Sequence, residues 1–261
     1  MRKVTMSRLF VLGLILALWS GAAQAEPWIF TVGVQGGETP PYEGANRYAF
    51  QPTPTFDLRS ANAPYHFMPP DDGSDITLYS NPYFDIGPVA RFHYDRDPTG
   101  ALRGFNKVQW AAEPGLFMDA WPVTWLRGRV EMRKGVTGHL GWVGDADLDL
   151  VYQRGLWDLS LGPRYGFGDK RYMETYFGVT PQDVARSPFI NTVYTPKGGE
   201  RYTGLEAAVS YRFTRNWRAT YGIGYQRLAD NAADSPIVRR VGSADQFQTT
   251  LGISYSFHVG H

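Results

Sequence analysis

Over residues 246–257, large side chains alternate with small polar ones, and few folds accommodate such a pattern. Successive side chains of a β-strand point to opposite faces of the sheet, so we predict a strand with one apolar and one hydrophilic face. The apolar face carries Phe247, Thr249, Leu251, Ile253, Tyr255 and Phe257, and the other carries Gln246, Gln248, Thr250, Gly252, Ser254 and Ser256.

The same alternation recurs along most of the chain, which predicts about twelve strands. The segments at 64–70 and 74–80 are the least regular, and without that pair the count is ten. The predicted strands lie near 28–37, 49–59, 64–70, 74–80, 84–94, 109–119, 123–133, 140–152, 155–165, 201–213, 217–229 and 245–257.

Two all-β architectures fit such strands, namely a soluble sandwich and a transmembrane barrel. In a sandwich the apolar faces pack on a second sheet, whereas in a barrel they face lipid. Many of the segments reach about ten residues, which exceeds the usual strand of a globular sheet but suits a tilted strand crossing a bilayer. The 16 Tyr and 8 Trp residues also fit the aromatic girdles of membrane barrels. The sequence therefore favours the barrel over the sandwich.

The lengths of the connections indicate how the strands are arranged. Short turns at 81–82, 120–122, 154–155 and 214–216 fall at one end, and longer connections at 95–108, 166–200 and 230–244 fall at the other. Bacterial barrels have short periplasmic turns and longer extracellular loops. The predicted fold class is therefore an all-β, up-and-down antiparallel transmembrane β-barrel with both termini on the periplasmic side.

The N-terminus predicts export. A basic head with Arg2, Lys3 and Arg8 precedes an apolar run over 9–19 and the small-residue signature Ala23-Gln24-Ala25. The alternative, a retained anchor helix, would need roughly 20 apolar residues. We expect a signal peptide at 1–25 and a barrel domain at 26–261 in the Gram-negative outer membrane.

Charged residues occupy the predicted inward face of two neighbouring strands. Folding this hairpin about 134–139 places Arg127 near Asp147 and Arg129 near Asp145. The charges could form a constriction that selects solutes, or a salt-bridge ladder that fills and stiffens the lumen. We favour the ladder, because twelve strands enclose little space. The full set is Arg127, Arg129, Glu131, Arg133, Asp145, Asp147 and Asp149.

No motif indicates catalysis, a cofactor or a metal. The chain has no cysteine, and His66, His93 and His139 lack metal-ligand spacing. His93 is expected to point inward near Asp85 and Arg91 as a hydrogen-bonded filler. We predict that the protein is not an enzyme, with a barrel-embedded hydrolase as the alternative. Of 26 basic residues three lie in the predicted leader, which leaves 23 against 25 acidic ones and argues against a nucleic-acid partner.

Four stretches carry a resemblance to known proteins. Pro41-Tyr42-Glu43-Gly44 resembles the opening motif of the MipA/OmpV family, the MltA-interacting proteins. Tyr176-Phe177-Gly178 begins a stretch similar to the long outer loop of that family, and Asp234-Ser235-Pro236 lies in a stretch similar to its last loop. The C-terminal end, with Gly252, Tyr255 and Phe257, looks like the signal that the outer-membrane assembly machinery recognises.

The resemblance implies a non-enzymatic outer-membrane protein surrounded by lipid and inserted by the assembly machinery. Some members of the family are thought to scaffold peptidoglycan synthesis, bridging a lytic transglycosylase and a bifunctional penicillin-binding protein. Other members are discussed as porin-like channels or adhesion proteins. The resemblance therefore implies a scaffold, with a porin-like channel for small solutes as the alternative.

Two of the outer loops also carry local signals. Thr180-Pro181-Gln182-Asp183 predicts a helix start, with Thr180 as N-cap and Asp183 completing a capping box. Asp234-Ser235-Pro236 predicts a turn. We therefore expect the 172–199 loop to be ordered and to fold back over the mouth. The motifs either shape the loops alone or bind a ligand or partner.

Overall fold

The computed structural model describes residues 27–260, and they close into a β-barrel. The predicted signal peptide at 1–25 and the last residue, His261, lie outside the described residues. One sheet contains all twelve strands. They are β1 (Trp28–Thr39), β2 (Ala49–Ser60), β3 (Ser74–Ile76), β4 (Tyr79–Ser80), β5 (Phe84–His93), β6 (Ala111–Val123), β7 (Leu126–Lys134), β8 (Trp142–Arg154), β9 (Trp157–Gly168), β10 (Gly199–Arg212), β11 (Trp217–Leu228) and β12 (Asp245–Val259).

Closure of the barrel depends on one very short strand. Strands β5 to β12 pair in sequence order, β12 pairs with β1, and β1 pairs with β2, all antiparallel. Strand β3 then joins β2 to β5, pairing parallel with β2 and antiparallel with β5. Strand β4 pairs with β5 alone and lies outside the closed wall. The predicted all-β barrel is confirmed, and the parallel β2–β3 pair and the outlying β4 depart from an up-and-down course.

The distribution of side chains in β9 explains why this sequence forms a membrane barrel. Every second residue is buried inside the barrel, including the charged or polar Asp158, Ser160 and Arg164. Between them, Leu159 and Leu161 point outward and are 42% and 53% exposed. A water-soluble protein buries its apolar groups, whereas lipid favours their exposure. The alternating sequence therefore places apolar side chains toward lipid and charged or polar side chains toward the interior of the barrel.

One predicted turn is displaced. The chain reverses at 155–156 and 213–216, close to the predicted positions, but β6 continues through 120–122 to Val123 and the reversal follows at 124–125. The β6–β7 register is irregular between Ala120 and Val123. There the Trp121 side chain turns inward, is only 3% exposed and stacks on His66 with ring centroids 4.4 Å apart. Burial of this indole extends the strand beyond the predicted turn.

The connection between β2 and β3 runs through the interior of the barrel. We name residues 61–73 the lumenal segment. The prediction of a wall strand over 64–70 is wrong, because no strand forms there. Three prolines, Pro64, Pro69 and Pro70, remove backbone donors that a wall strand needs. Instead, Phe67 is fully buried against Trp121 and residues of β8 and β10.

The extracellular mouth is covered by helices. They are α1 (Lys170–Phe177), α2 (Pro181–Arg186), α3 (Asp230–Ala233) and α4 (Pro236–Val241). The predicted capping box at Thr180 and Asp183 is confirmed. The predicted turn at Asp234-Ser235-Pro236 is the start of α4, with Ser235 as N-cap. We name residues 169–198 and 229–244, which carry these helices, the cap. Among the described residues no helix combines the length and apolarity that a membrane span requires.

The outer halves of β2 and β5 form a seam in the wall. Pairing of β2 with β3 begins only at Asp57, and within the described residues no pairing joins β2 directly to β5. On this edge of β2 the Phe56 amide donates to the Ser74 hydroxyl. Pro54 and Pro52, two and four residues earlier, lack the N–H that would point the same way. The Tyr94 hydroxyl bridges the gap by donating to the Pro52 carbonyl.

Candidate functional site

The predicted lumenal charges all lie buried inside the barrel, but in a different register. Arg127 faces Asp149, Arg129 faces Asp147, and Glu131 faces Asp145 across the β7–β8 pair. The predicted pairs Arg127 with Asp147 and Arg129 with Asp145 are therefore wrong by two residues. The cause is the hairpin loop, which spans 135–141 because the Gly135 amide bonds to the Gly141 carbonyl at 3.0 Å.

The two deepest arginines are surrounded by carboxylates. Arg127 contacts Asp72, Asp119 and Asp149 at 2.5, 3.0 and 3.1 Å. Arg129 contacts Asp119 at 3.0 Å, and it also reaches Asp75 and Glu131, each at 2.8 Å. Buried charges are tolerated only when they are paired and hydrogen-bonded. Several partners for each guanidinium meet that requirement and hold the side chains in place.

The network continues toward the cap through three further arginines. Glu131 accepts from Arg91 at 2.9 Å and also from Arg133. Asp145 accepts from Arg133 at 2.5 Å and from Arg201 of β10 at 2.6 Å. A single connected set of ion pairs therefore runs from the middle of the lumen to the base of the cap.

Ion pairs and hydrogen bonds to the wall also hold the lumenal segment inside the barrel. Asp71 accepts from Arg164 of β9 at 2.7 Å, and Asp72 contacts Arg127 of β7. Tyr65 donates to Asp158 at 2.9 Å. These contacts fasten the segment to β7 and β9. Sequence reasoning identified the arginines on β7 but not these partners, although the adjacent pair Asp71-Asp72 was a visible signal for them.

The middle of the lumen is closed to water. Arg127, Glu131 and Asp149 point inward, yet each has 0% of its surface exposed. These three residues lie on β7 and β8, and the lumenal segment fills the space across to β1, where the Gln35 amide donates to the Pro70 carbonyl at 2.8 Å. The closed layer separates two cavities, one of about 250 Å³ toward the periplasm and one of about 210 Å³ beneath the cap.

Several arginines line the periplasmic cavity. Its lining includes Arg59, Arg212, Arg215 and Arg218, and Arg218 is paired with Asp158 at 2.7 Å. Within the described residues, none of the connections at 61–63, 81–83, 124–125, 155–156 and 213–216 contains an acidic residue. We name the arginines at strand ends and turns on this side, Arg59, Arg154, Arg212 and Arg215, the periplasmic rim.

The cavity beneath the cap is lined by residues of the family motifs. Tyr42, Glu43 and Tyr176 contribute to its wall, together with Arg201 and His93. Glu43 accepts from Arg201 at 2.5 Å. Burial raises the pKa of the Tyr42 and Tyr176 phenols, so both hydroxyls stay protonated and available to donate.

The predicted surroundings of His93 are partly wrong. Its Nε2 atom lies 3.3 Å from Glu113, and Arg91 lines the same cavity. Asp85 instead accepts from His66 of the lumenal segment. Asp85 and His93 lie at opposite ends of β5, about 26 Å apart at roughly 3.3 Å per residue.

The three loop motifs meet in the cap. Gly44, with a φ of +90° that favours glycine, donates to Gln246 and accepts from Ser243, both at 3.0 Å. Ser235 donates to the Phe177 carbonyl at 2.7 Å. In the same motifs, Gly178 is the C-cap of α1 and Pro236 is the first residue of α4. Asp234 lies 3.5 Å from Arg239, and Pro41 lines the cavity beneath the cap.

The residues of the predicted assembly signal lie on β12, beside β1. Tyr255 pairs with Val32, and Phe257 pairs with and stacks on Phe30. Gly252 pairs with Gln35 in the same ladder. Recognition by the assembly machinery remains a prediction. Across residues 27–260, no group of three or more His, Asp or Glu side chains is arranged to hold a metal ion.

An apolar outer wall around an interior filled with ion pairs defines an integral β-barrel of the outer membrane. Within that class, the sequence profile of MltA-interacting protein MipA matches residues 32–257. The chain belongs to this family, and the resemblance stated from the sequence is confirmed.

Two named relatives agree with this assignment. Proteins named MltA-interacting protein from Escherichia coli (strain K12) and Shigella flexneri are each 25% identical over 270 residues, covering 97% of this chain and 100% of the relative. Among solved structures, an outer membrane channel from Pseudomonas putida F1 is similar over 90% of this chain and 97% of its own, at 10% identity and a TM-score of 0.43.

Proposed function

We propose that, after removal of its predicted leader, this protein is a closed, non-enzymatic anchor in the outer membrane that recruits a lytic transglycosylase on its periplasmic face. The observation that carries the proposal is the closed layer in the lumen, where Arg127, Glu131 and Asp149 have no exposed surface. A barrel without an aqueous path is suited to holding a partner rather than conducting solutes. The name of its relatives, MltA-interacting protein, supports this choice of partner.

The periplasmic rim supports the proposal through its charge. Arg154 and Arg215 are exposed, and Arg59 and Arg212 are partly exposed beside them. With no acidic residue in the short turns, this face attracts a partner that presents carboxylates. The turns offer little area, so we propose a transient complex that forms quickly by electrostatic attraction. A penicillin-binding protein would then join through the transglycosylase.

The rim can be tested by reversing its charge. The variant combines Arg154→Glu, Arg212→Glu and Arg215→Glu, and capture of a purified MltA-type transglycosylase is measured at low and physiological salt. We expect capture to fall about tenfold or more, because the reversed field repels the acidic partner. The matched control is Arg239→Glu with Arg240→Glu, which reverses exposed arginines of α4 at the opposite end. Equal capture by both variants would show that the rim is not the docking surface. If the unaltered protein captures no more enzyme than an unrelated barrel does, the proposed scaffold role is wrong.

A further inference from the structure

The cavity beneath the cap contains buried polar atoms without partners. Within the described residues, the Glu43 Oε2, Tyr176 Oη and Arg201 Nε atoms have no hydrogen-bond partner. All three residues line the same cavity, and Tyr176 and Arg201 are 6% and 3% exposed. These atoms have almost no accessible surface, and leaving a buried polar group unsatisfied costs about 1–3 kcal/mol. A small side-chain shift that brings them to a ligand or water in the cavity is therefore favourable.

The unsatisfied atoms specify what a ligand must offer. The Glu43 oxygen accepts, the Arg201 nitrogen donates, and the Tyr176 hydroxyl does both. A hydroxyl group is a small neutral group that both donates and accepts, so several hydroxyls on one molecule would satisfy all three positions.

The charges around the cavity leave no site for an anionic ligand, and its three arginines disfavour a cation. Every arginine in the lining already contacts a carboxylate, so none offers an unpaired positive charge. The pairs are Arg91 with Glu131 at 2.9 Å, Arg133 with Glu113 at 3.1 Å, and Arg201 with Asp145 at 2.6 Å. An added ion would have to compete with these contacts.

Size and lining narrow the ligand further. The cavity holds about 210 Å³, less than the roughly 300 Å³ or more of pockets for drug-sized molecules. Aromatic rings and amides line much of it, namely Tyr42, Tyr172, Tyr176, Tyr202, Gln51, Gln226 and Gln248. Rings provide apolar contact for the faces of a compact molecule, and amides provide further donors and acceptors. We propose that this cavity binds a neutral sugar ring, of the size of one monosaccharide.

The seam gives the sugar a route from the membrane side. Gln51 and Thr53 of β2 and Phe92 of β5, which flank the seam, also line the cavity. A sugar ring could therefore arrive free from outside or attached to a lipid lying beside the barrel. Both sources present the same hydroxyls, and the experiment separates them.

The test uses the full barrel in a detergent that contains no sugar. Saturation-transfer NMR is recorded with free glucose, galactose and N-acetylglucosamine, and separately with octyl glucoside, which carries its sugar on an acyl chain. Replacing Tyr176→Phe removes one hydroxyl without changing ring size, and that hydroxyl has no partner to lose. We expect binding to weaken about three- to tenfold, the loss of one hydrogen bond. Tyr152→Phe, on the outer surface of β8, is the control and should bind normally.

Two outcomes would support sugar binding and distinguish its source, and two would contradict it. Binding of a free sugar that Tyr176→Phe weakens supports a soluble ligand, and binding of octyl glucoside alone with the same dependence supports a lipid-borne one. No transfer to either probe, or equal transfer in both variants, overturns the proposal. These results do not depend on capture of a transglycosylase, because the cavity lies on the opposite side of the closed layer from the periplasmic rim.

Discussion

At the scale of single residues, Glu131 shows what the sequence could and could not predict. Alternation placed its side chain inside the barrel, and the structure places it there with 0% exposure. Its partners were not predictable, because they come from three directions. Arg91 lies on β5, Arg129 and Arg133 on β7, and the Gly73 amide of the lumenal segment donates at 3.2 Å. Only closure of the barrel brings these groups together.

Replacing Glu131→Gln should strongly destabilise the barrel. The amide keeps the shape but leaves three guanidinium groups, two of them buried, short of one negative charge, which costs about 3–5 kcal/mol. The urea midpoint, read from heat-modifiable gel mobility in detergent micelles, should fall accordingly. Glu174→Gln, an exposed change on α1, serves as control and should leave the midpoint in place. Equal midpoints for the two variants would contradict a stabilising role for the buried network.

At the scale of elements, the long strands were predictable and the lumenal segment was not. Strands such as β9 and β12 alternate because lipid and lumen impose opposite chemistry on their two faces. The lumenal segment has no regular environment, because it crosses the barrel and contacts several strands, for example β9 at Tyr65 and Asp71 and β7 at Asp72. Its short apolar run, Phe67-Met68 between prolines, therefore resembled a weak strand. The role of Asp71 and Asp72 follows only from the positions of their partners, Arg164 and Arg127.

Truncating Phe67→Ala should release the lumenal segment. The ring is fully buried against Trp121, Val151 and Ala208, and loss of such a side chain typically costs about 3–5 kcal/mol. We expect faster proteolytic cleavage within 61–73 while the ten long strands stay protected. Phe189→Ala, in an exposed part of the cap, is the matched control. An unchanged cleavage rate would mean that the salt bridges alone hold the segment.

At the scale of the whole molecule, the sequence predicted a barrel but not how it closes. Ten long strands follow from alternation, whereas closure depends on two-residue pairings of β3 with β2 and β5. Pairings this short leave no periodic signal in a sequence. The cap was predictable only in parts, such as the capping box at Thr180, because its buried contacts join residues far apart, for example Tyr42 and Ile237.

Replacing residues 62–72 with an equal length of Gly and Ser should convert the closed barrel into a channel. The unaltered protein should show no steady conductance in a planar bilayer, since the lumenal segment and its partners exclude water from the middle layer. Removing the segment opens that layer and should give discrete conductance steps. A second replacement that keeps Asp71 and Asp72 adds two negative charges to the lumen and should shift selectivity toward cations relative to the first. Steady conductance from the unaltered protein, or silence from a correctly folded replacement variant, would contradict the lumenal segment as the seal.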